Sequence, residues 1–183
     1  SIAAGEEWKV IDTNDFNRDG KADILFSRNS LAMPEQVEYA LWLMDGTTFL
    51  EQKMIGEAPA DHALIDHNDF NGDGKADLLF RRPTGNEEAE YSVWLMDGSS
   101  VISDSVLDVA PASWTYLMSA ALNGDGRADL VFVDDSMEAT VQVYGWLMDG
   151  TSVSAQGTLG LYDSADSPGG WLPPFAAPEL AVS

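Results

Sequence analysis

The residues of this chain best equipped for chemistry are oxygen-bearing side chains in a nine-residue string that occurs three times. The first two copies are Asp15-Phe-Asn17-Arg-Asp19-Gly-Lys21-Ala-Asp23 and Asp69-Phe-Asn71-Gly-Asp73-Gly-Lys75-Ala-Asp77. Carboxylates or a carboxamide stand at positions 1, 3, 5 and 9, and a glycine at position 6 lets the chain turn sharply around a point. Lys21 and Lys75, at position 7, can add a backbone carbonyl. Hard oxygen ligands in this number, on a flexible loop, suit Ca²⁺ better than Mg²⁺, which demands a tight octahedron and keeps its waters. An EF-hand is excluded because its twelfth position should be acidic and is Phe26 and Phe80 here. The plain alternative is an Asp/Asn/Gly-rich turn that binds nothing; two near-identical copies of the ligand spacing weigh against it. The third copy, Ala121-Leu-Asn123-Gly-Asp125-Gly-Arg127-Ala-Asp129, has lost the first carboxylate. It keeps Asn123, Asp125, Asp129 and the Arg127 carbonyl, so a third ion is expected to bind more weakly, if at all.

The elements that must hold these loops are also repeated. Trp-Leu-Met-Asp-Gly occurs at 42–46, 94–98 and 146–150, a spacing of 52 residues, and each copy follows a nine-residue string. Around the loops lie short β-rich runs: Trp8–Ile11, Ala22–Arg28, Tyr39–Met44 and Thr48–Ile55 in the first unit, with counterparts in the other two. The Asp-Gly pair that ends the third run favours a tight hairpin. Four short strands per unit of about 50 residues is the arithmetic of a propeller blade. Tyr39–Met44 is apolar on both faces (Tyr39, Leu41, Leu43 against Ala40, Trp42, Met44), so it must be covered on both sides. Blades stacked face to face supply that cover.

The fold expected is therefore all-β: three tandem four-stranded propeller-type blades within residues 1–165 (about 6–57, 58–109 and 110–161), plus a C-terminal strand or arm at 166–183. The arm resembles the opening strand of a fourth unit whose loop never arrives. Pro173, Pro174 and Pro178 restrict it to an edge. Three blades are too few to close a ring, so an incomplete propeller completed by oligomerisation is expected.

The loop string followed by the Trp-Leu-Met-Asp-Gly strand resembles the FG-GAP/VCBS repeat family. These are the calcium-loop β-propeller blades of integrin α heads, of some lectins and of many bacterial surface proteins. The resemblance covers about residues 6–161. It implies a four-stranded blade with Ca²⁺ in the loop joining its first two strands, and no single activity, because the fold hosts adhesins, lectins and accessory domains alike.

Composition narrows the partners. Nine Lys and Arg against 31 Asp and Glu leave a formal charge of −22 over 183 residues, which repels nucleic acid and anionic lipid. Absent cysteine removes thiol chemistry, and no apolar run approaches the ~20 residues of a membrane-spanning helix. No nucleophile–base pair or cofactor fingerprint appears, so no enzyme activity is expected. Trp42, Trp94 and Trp146 read as inter-blade core, Trp8, Trp114 and Trp171 as more open aromatics, and His62 and His67 as incidental. The leading expectation is an extracellular or cell-surface structural or adhesion protein that associates with itself through blade faces and the C-terminal arm. A lectin-like glycan-binding module and a fragment of a longer closed propeller are the alternatives.

Overall fold

In the computed structural model, which describes residues 8–137 and 140–163, the chain forms three antiparallel four-stranded sheets, each a simple meander. The first holds β1 (Lys9–Asn14), β2 (Asp23–Asn29), β3 (Gln36–Asp45) and β4 (Thr48–Pro59). The second holds β5 (Ala63–Asn68), β6 (Asp77–Pro83), β7 (Glu88–Asp97) and β8 (Ser100–Pro111). The third holds β9 (Trp114–Ala120), β10 (Asp129–Met137), β11 (Thr140–Met148) and β12 (Val153–Asp163). These are the expected all-β, propeller-type blades. The expected C-terminal arm at 166–183, with Trp171, lies outside the described residues.

Each sheet follows the same local instructions. The β2–β3 pairing puts Ile24 opposite Trp42, and β6–β7 puts Leu78 opposite Trp94. The hairpin that ends β3 closes with Asp45 opposite Thr48, and Gly46 takes a φ of 60° that glycine adopts at no steric cost. Each last strand carries two bulges, and one of them inserts Ile55, Leu107 or Leu159 between paired positions.

The core is not inside any sheet but between sheets. One cluster joins Phe16, Leu25, Tyr39, Leu41 and Ile55 of the first blade to Leu78, Phe80, Trp94 and Met96 of the second. The other joins Phe70, Leu79, Tyr91 and Val93 of the second blade to Leu130, Phe132, Trp146 and Met148 of the third. At each joint the later blade drives its tryptophan into the earlier one. Trp94 sits edge-on to Tyr39 with ring centroids 5.8 Å apart, and Trp146 repeats this on Tyr91 at 5.5 Å. Gly56 makes room, since a Cβ there would lie 3.1 Å from the Trp94 ring.

Trp94 and Trp146 are 6% and 1% exposed, as inter-blade core requires. Trp42 departs from that expectation: among the described residues no earlier blade covers it, and it is only half-buried, resting against Phe26 and Phe49 of its own sheet. Truncating Trp94 or Trp146 to alanine should therefore cost about 3–5 kcal/mol, and Trp42→Ala about 1–2 kcal/mol, in urea unfolding of dilute protein.

Candidate metal centre

The three nine-residue strings form the loops between β1 and β2, β5 and β6, and β9 and β10. Their shape depends on left-handed backbone at two places. Position 6 is Gly20, Gly74 or Gly126, with φ between 80° and 87°. Position 4 is left-handed too, at Gly72 and Gly124 and, at 64°, at Arg18, a conformation uncommon for a side-chain-bearing residue. That requirement is invisible in the first copy alone; glycine at position 4 of the other two was the available signal.

The polar side chains fold inward over their own loop. Asp15 accepts the amides of Asp19 (3.1 Å) and Gly20 (2.7 Å), Asn17 Oδ1 accepts that of Asp19 (2.9 Å), and Asp19 accepts that of Lys21 (2.9 Å). The second loop repeats this with Asp69, Asn71 and Asp73, and Asp69 also takes the Gly72 amide. In the third loop Asn123 and Asp125 keep their amide bonds, but Ala121 cannot accept from the amides that Asp15 and Asp69 hold. Arg127 instead turns its guanidinium onto Asp125 at 3.3 Å.

The ninth-position aspartate does more than close a loop. Asp23, Asp77 and Asp129 are completely buried. One oxygen of each accepts the amide of the loop's second residue: Phe16 (3.0 Å), Phe70 (2.9 Å) or Leu122 (2.8 Å). The other accepts the amide of Met44 (2.9 Å), Met96 (2.8 Å) or Met148 (2.9 Å) in the third strand. The position-7 cation reaches the same strand end, with Lys21 on Asp45 at 2.9 Å, Lys75 on Asp97, and Arg127 on Asp149 at 3.3 Å. This double tie is why the loop string and the Trp-Leu-Met-Asp-Gly string travel together.

Burial pushes the Asp77 carboxyl up to about 7 against the two amides that favour its charge, and the charges of Asp73 and Asp69 add to the rise. Asp23 is pushed up for the same first reason, with Asp19 and Asp15 adding to it. Negative charge is thus concentrated in the first two loops; Asp69 Oδ1 accepts two amides, whereas Asp69 Oδ2 and the Asp15 oxygens accept one each and keep a lone pair. Among the described residues no three carboxylate or imidazole groups gather closely enough to form a cage by themselves. Every side-chain donor of the first two loops is an oxygen, the donor type a hard divalent cation takes, and Asn17 or Asn71 and the position-7 carbonyl would complete such a set.

The loops also meet one another. The Asp15 carbonyl accepts the Ala76 amide at 3.0 Å, and the Asp69 carbonyl accepts that of Ala128 at 2.8 Å. Arg18 donates to the Asp73 carbonyl at 2.9 Å. Beside them, His67 bridges Asp12 at 2.7 Å and Asn14 at 2.9 Å across the first joint, so it is not incidental as its lack of counterparts suggested. Its place at the second joint is taken by Ser119, which binds Asp66 and Asn68. His62 pairs with the neighbouring Asp61 at 2.9 Å.

Tandem four-stranded blades with these loops between their first two strands define a propeller-type repeat protein. The FG-GAP-like repeat family model matches residues 15–80, so that stretch is similar to an FG-GAP-like repeat, and the third copy carries the same loop and strand strings beyond it. No curated protein matches the chain.

The three buried aspartates hold equivalent bonds, so Asp129→Ala should cost as much as Asp77→Ala in excess chelator. Each leaves two backbone amides without their acceptor, worth about 2–4 kcal/mol in denaturant unfolding. Because Asp77 holds its proton in the folded state between its ordinary 3.8 and about 7, this group binds more proton in the folded than in the unfolded chain there, and it governs once the lowered carboxylates such as Asp12 and Glu90 have ionised in both states. Metal-free stability should therefore fall as pH rises through that window, and Asp77→Asn should flatten the decline in thermal melts.

Proposed function

We propose that this chain is a calcium-stabilised extracellular repeat protein whose role is structural or adhesive and whose blades associate with further copies of themselves. The observation that carries the reading is the pair of all-oxygen loops in which burial and neighbouring carboxylates leave Asp23 and Asp77 short of counter-charge. Asp15, Asn17, Asp19, the Lys21 carbonyl and Asp23 would hold one ion. Asp69, Asn71, Asp73, the Lys75 carbonyl and Asp77 would hold a second. A bound cation would neutralise the loop and favour ionised over protonated Asp77. Asn123, Asp125, Asp129 and the Arg127 carbonyl form a poorer third set, where Arg127 already supplies positive charge. Millimolar calcium outside cells suits loops of this class, which the cytosol would leave empty. FG-GAP-like repeats occur in extracellular and surface proteins, and no helix among the described residues is long and apolar enough to cross a membrane.

Glycan binding is the second reading, and one groove favours it. Ile65, Arg81, Ala112, Trp114, Thr115 and Tyr116 line an open groove of about 450 Å³ at the joint of the second and third blades. One face of Trp114 is already used, stacked on Tyr144 at 3.8 Å. Trp8 is a poorer platform, since the Arg28 guanidinium lies 4.5 Å over its ring. A glycan array that stays blank with folded, calcium-loaded protein would remove this reading.

Calcium decides the first. At ~1 mM free Ca²⁺ and a dissociation constant of ~0.1 mM, each of two sites adds roughly 1.4 kcal/mol. Melting temperatures in calcium and in excess chelator should differ by several degrees, and unchanged melts would contradict the proposal. Asp15→Ala should remove about half of the difference.

A further inference from the structure

The three loops do not share their arginines evenly, and the second loop receives two. Arg18 stands at position 4 of the first loop, where the other two copies have Gly72 and Gly124. It takes the left-handed backbone of those glycines at a φ of 64°, a conformation that is costly for a residue with a side chain. The side chain leaves its own loop and lies over the next one. Its guanidinium donates to the Asp73 carbonyl at 2.9 Å, and a Cβ on Gly74 would stand 2.6 Å from its Nε. Gly74 is therefore required twice, for its φ of 83° and for the bare face on which Arg18 rests.

A second arginine reaches the same loop from the other side. Arg127, at position 7 of the third loop, donates from Nε to the Asn71 carbonyl at 3.3 Å. Its stem covers Gly72, where a Cβ would stand 3.3 Å from the Arg127 Cγ. The first two copies have lysine at position 7, and both ammonium groups bond within their own blade, Lys21 to Asp45 and Lys75 to Asp97. The second loop thus carries two guanidinium groups, each bonded to the main chain of a residue, Asn71 or Asp73, whose side chain belongs to the donor set. On the first loop the place matching Gly74 is bare: a Cβ on Gly20 would meet no described atom within 4 Å.

Resting on the calcium loops proposed above, we infer that Arg18 and Arg127 make the second loop the weaker of the two cation sites, so that the first loop fills at lower calcium than the second. The two loops offer the same donors at the same positions, so the donor set by itself gives no reason for a difference. What differs is the fixed positive charge beside them. A unit charge held just outside a donor set lowers the affinity for a divalent ion by about fivefold at low salt, and two such charges act together. The bonds that carry this charge also steady the loop, but its shape is already held by the amides bonded to Asp69, Asn71 and Asp73, so repulsion dominates. Each loop locks the joint that follows it, Asp15 to Ala76 and Asp69 to Ala128. As calcium rises, the first joint is therefore set before the second.

Calorimetric titration of the full, metal-free chain with Ca²⁺ tests this, at low salt and well above the value of about 7 to which Asp77 is pushed. The first two sites should separate by about tenfold or more, with Asp15→Ala abolishing the tighter and Asp69→Ala the weaker. Arg18→Gly, which gives the first loop the glycine of the other two copies, should tighten the weaker site about fivefold and leave the tighter within about twofold. Arg18→Asn, neutral and tolerant of left-handed backbone, should do the same. Raising the salt to about 0.5 M should narrow the wild-type gap, which a purely structural role of the two arginines would not do. Equal sites, a tighter site that Asp69→Ala removes, a gap that salt leaves unchanged, or Arg18 variants that fail to tighten the second site overturn the inference and leave the calcium loops standing. A chain that takes up no calcium overturns the calcium reading itself.

Discussion

The third strand of every blade is apolar on both faces, and burying both takes a neighbour on each side. Strand pairing supplies the hydrogen bonds within a blade, but the buried rings of Tyr39, Phe80 and Trp94, and of Tyr91, Phe132 and Trp146, all lie between blades. Among the described residues the middle blade is therefore covered by a blade twice and each outer blade once. That asymmetry sets where the chain is firm and where it exposes aromatic surface.

The loops answer a second demand, which is to hold adjacent blades at one spacing. A sheet-on-sheet contact is slippery in its plane. Backbone bonds from Asp15 to Ala76 and from Asp69 to Ala128 lock it at the loop end, and the His67 and Ser119 clamps add side-chain bonds beside them. These bonds form only if each loop keeps its shape, and the loop's shape rests on a buried aspartate that joins its start to the third strand. Burial raises the protonation of Asp23 and Asp77, and the neighbouring loop carboxylates add to it. A cation held there, as proposed, would relieve that repulsion and stiffen the joint, and would so couple its binding to the stacking of blades through the same residues.

Much of this was legible in the sequence because it is local. The 52-residue recurrence, the Asp-Gly turn and the two-faced strands gave the three meanders, and the Asp/Asn spacing located the loops. What could not be read depends on partners some 50 residues away. Nothing adjacent to His67 indicates that Asp12 and Asn14 of the preceding blade will reach it. Trp42 is identical in local sequence to Trp94 and Trp146, and only its place at the end of the stack leaves it half-exposed. The twofold amide contact of Asp23, Asp77 and Asp129 was hidden because a ligand spacing and a structural tie call for the same residue. The left-handed φ of Arg18 was hidden because arginine gives no sign of it.

The most direct test of dependence on double coverage is native-state hydrogen exchange at concentrations too low for association. If neighbours on both faces stabilise a blade, the amides of Leu78–Phe80 in the middle blade exchange slowest. Those of Ile24–Phe26 and Leu130–Phe132 then exchange measurably faster, although all three segments hold equivalent places in their sheets. Equal rates in the three blades would contradict that dependence, since each sheet would then be stable on its own pairing.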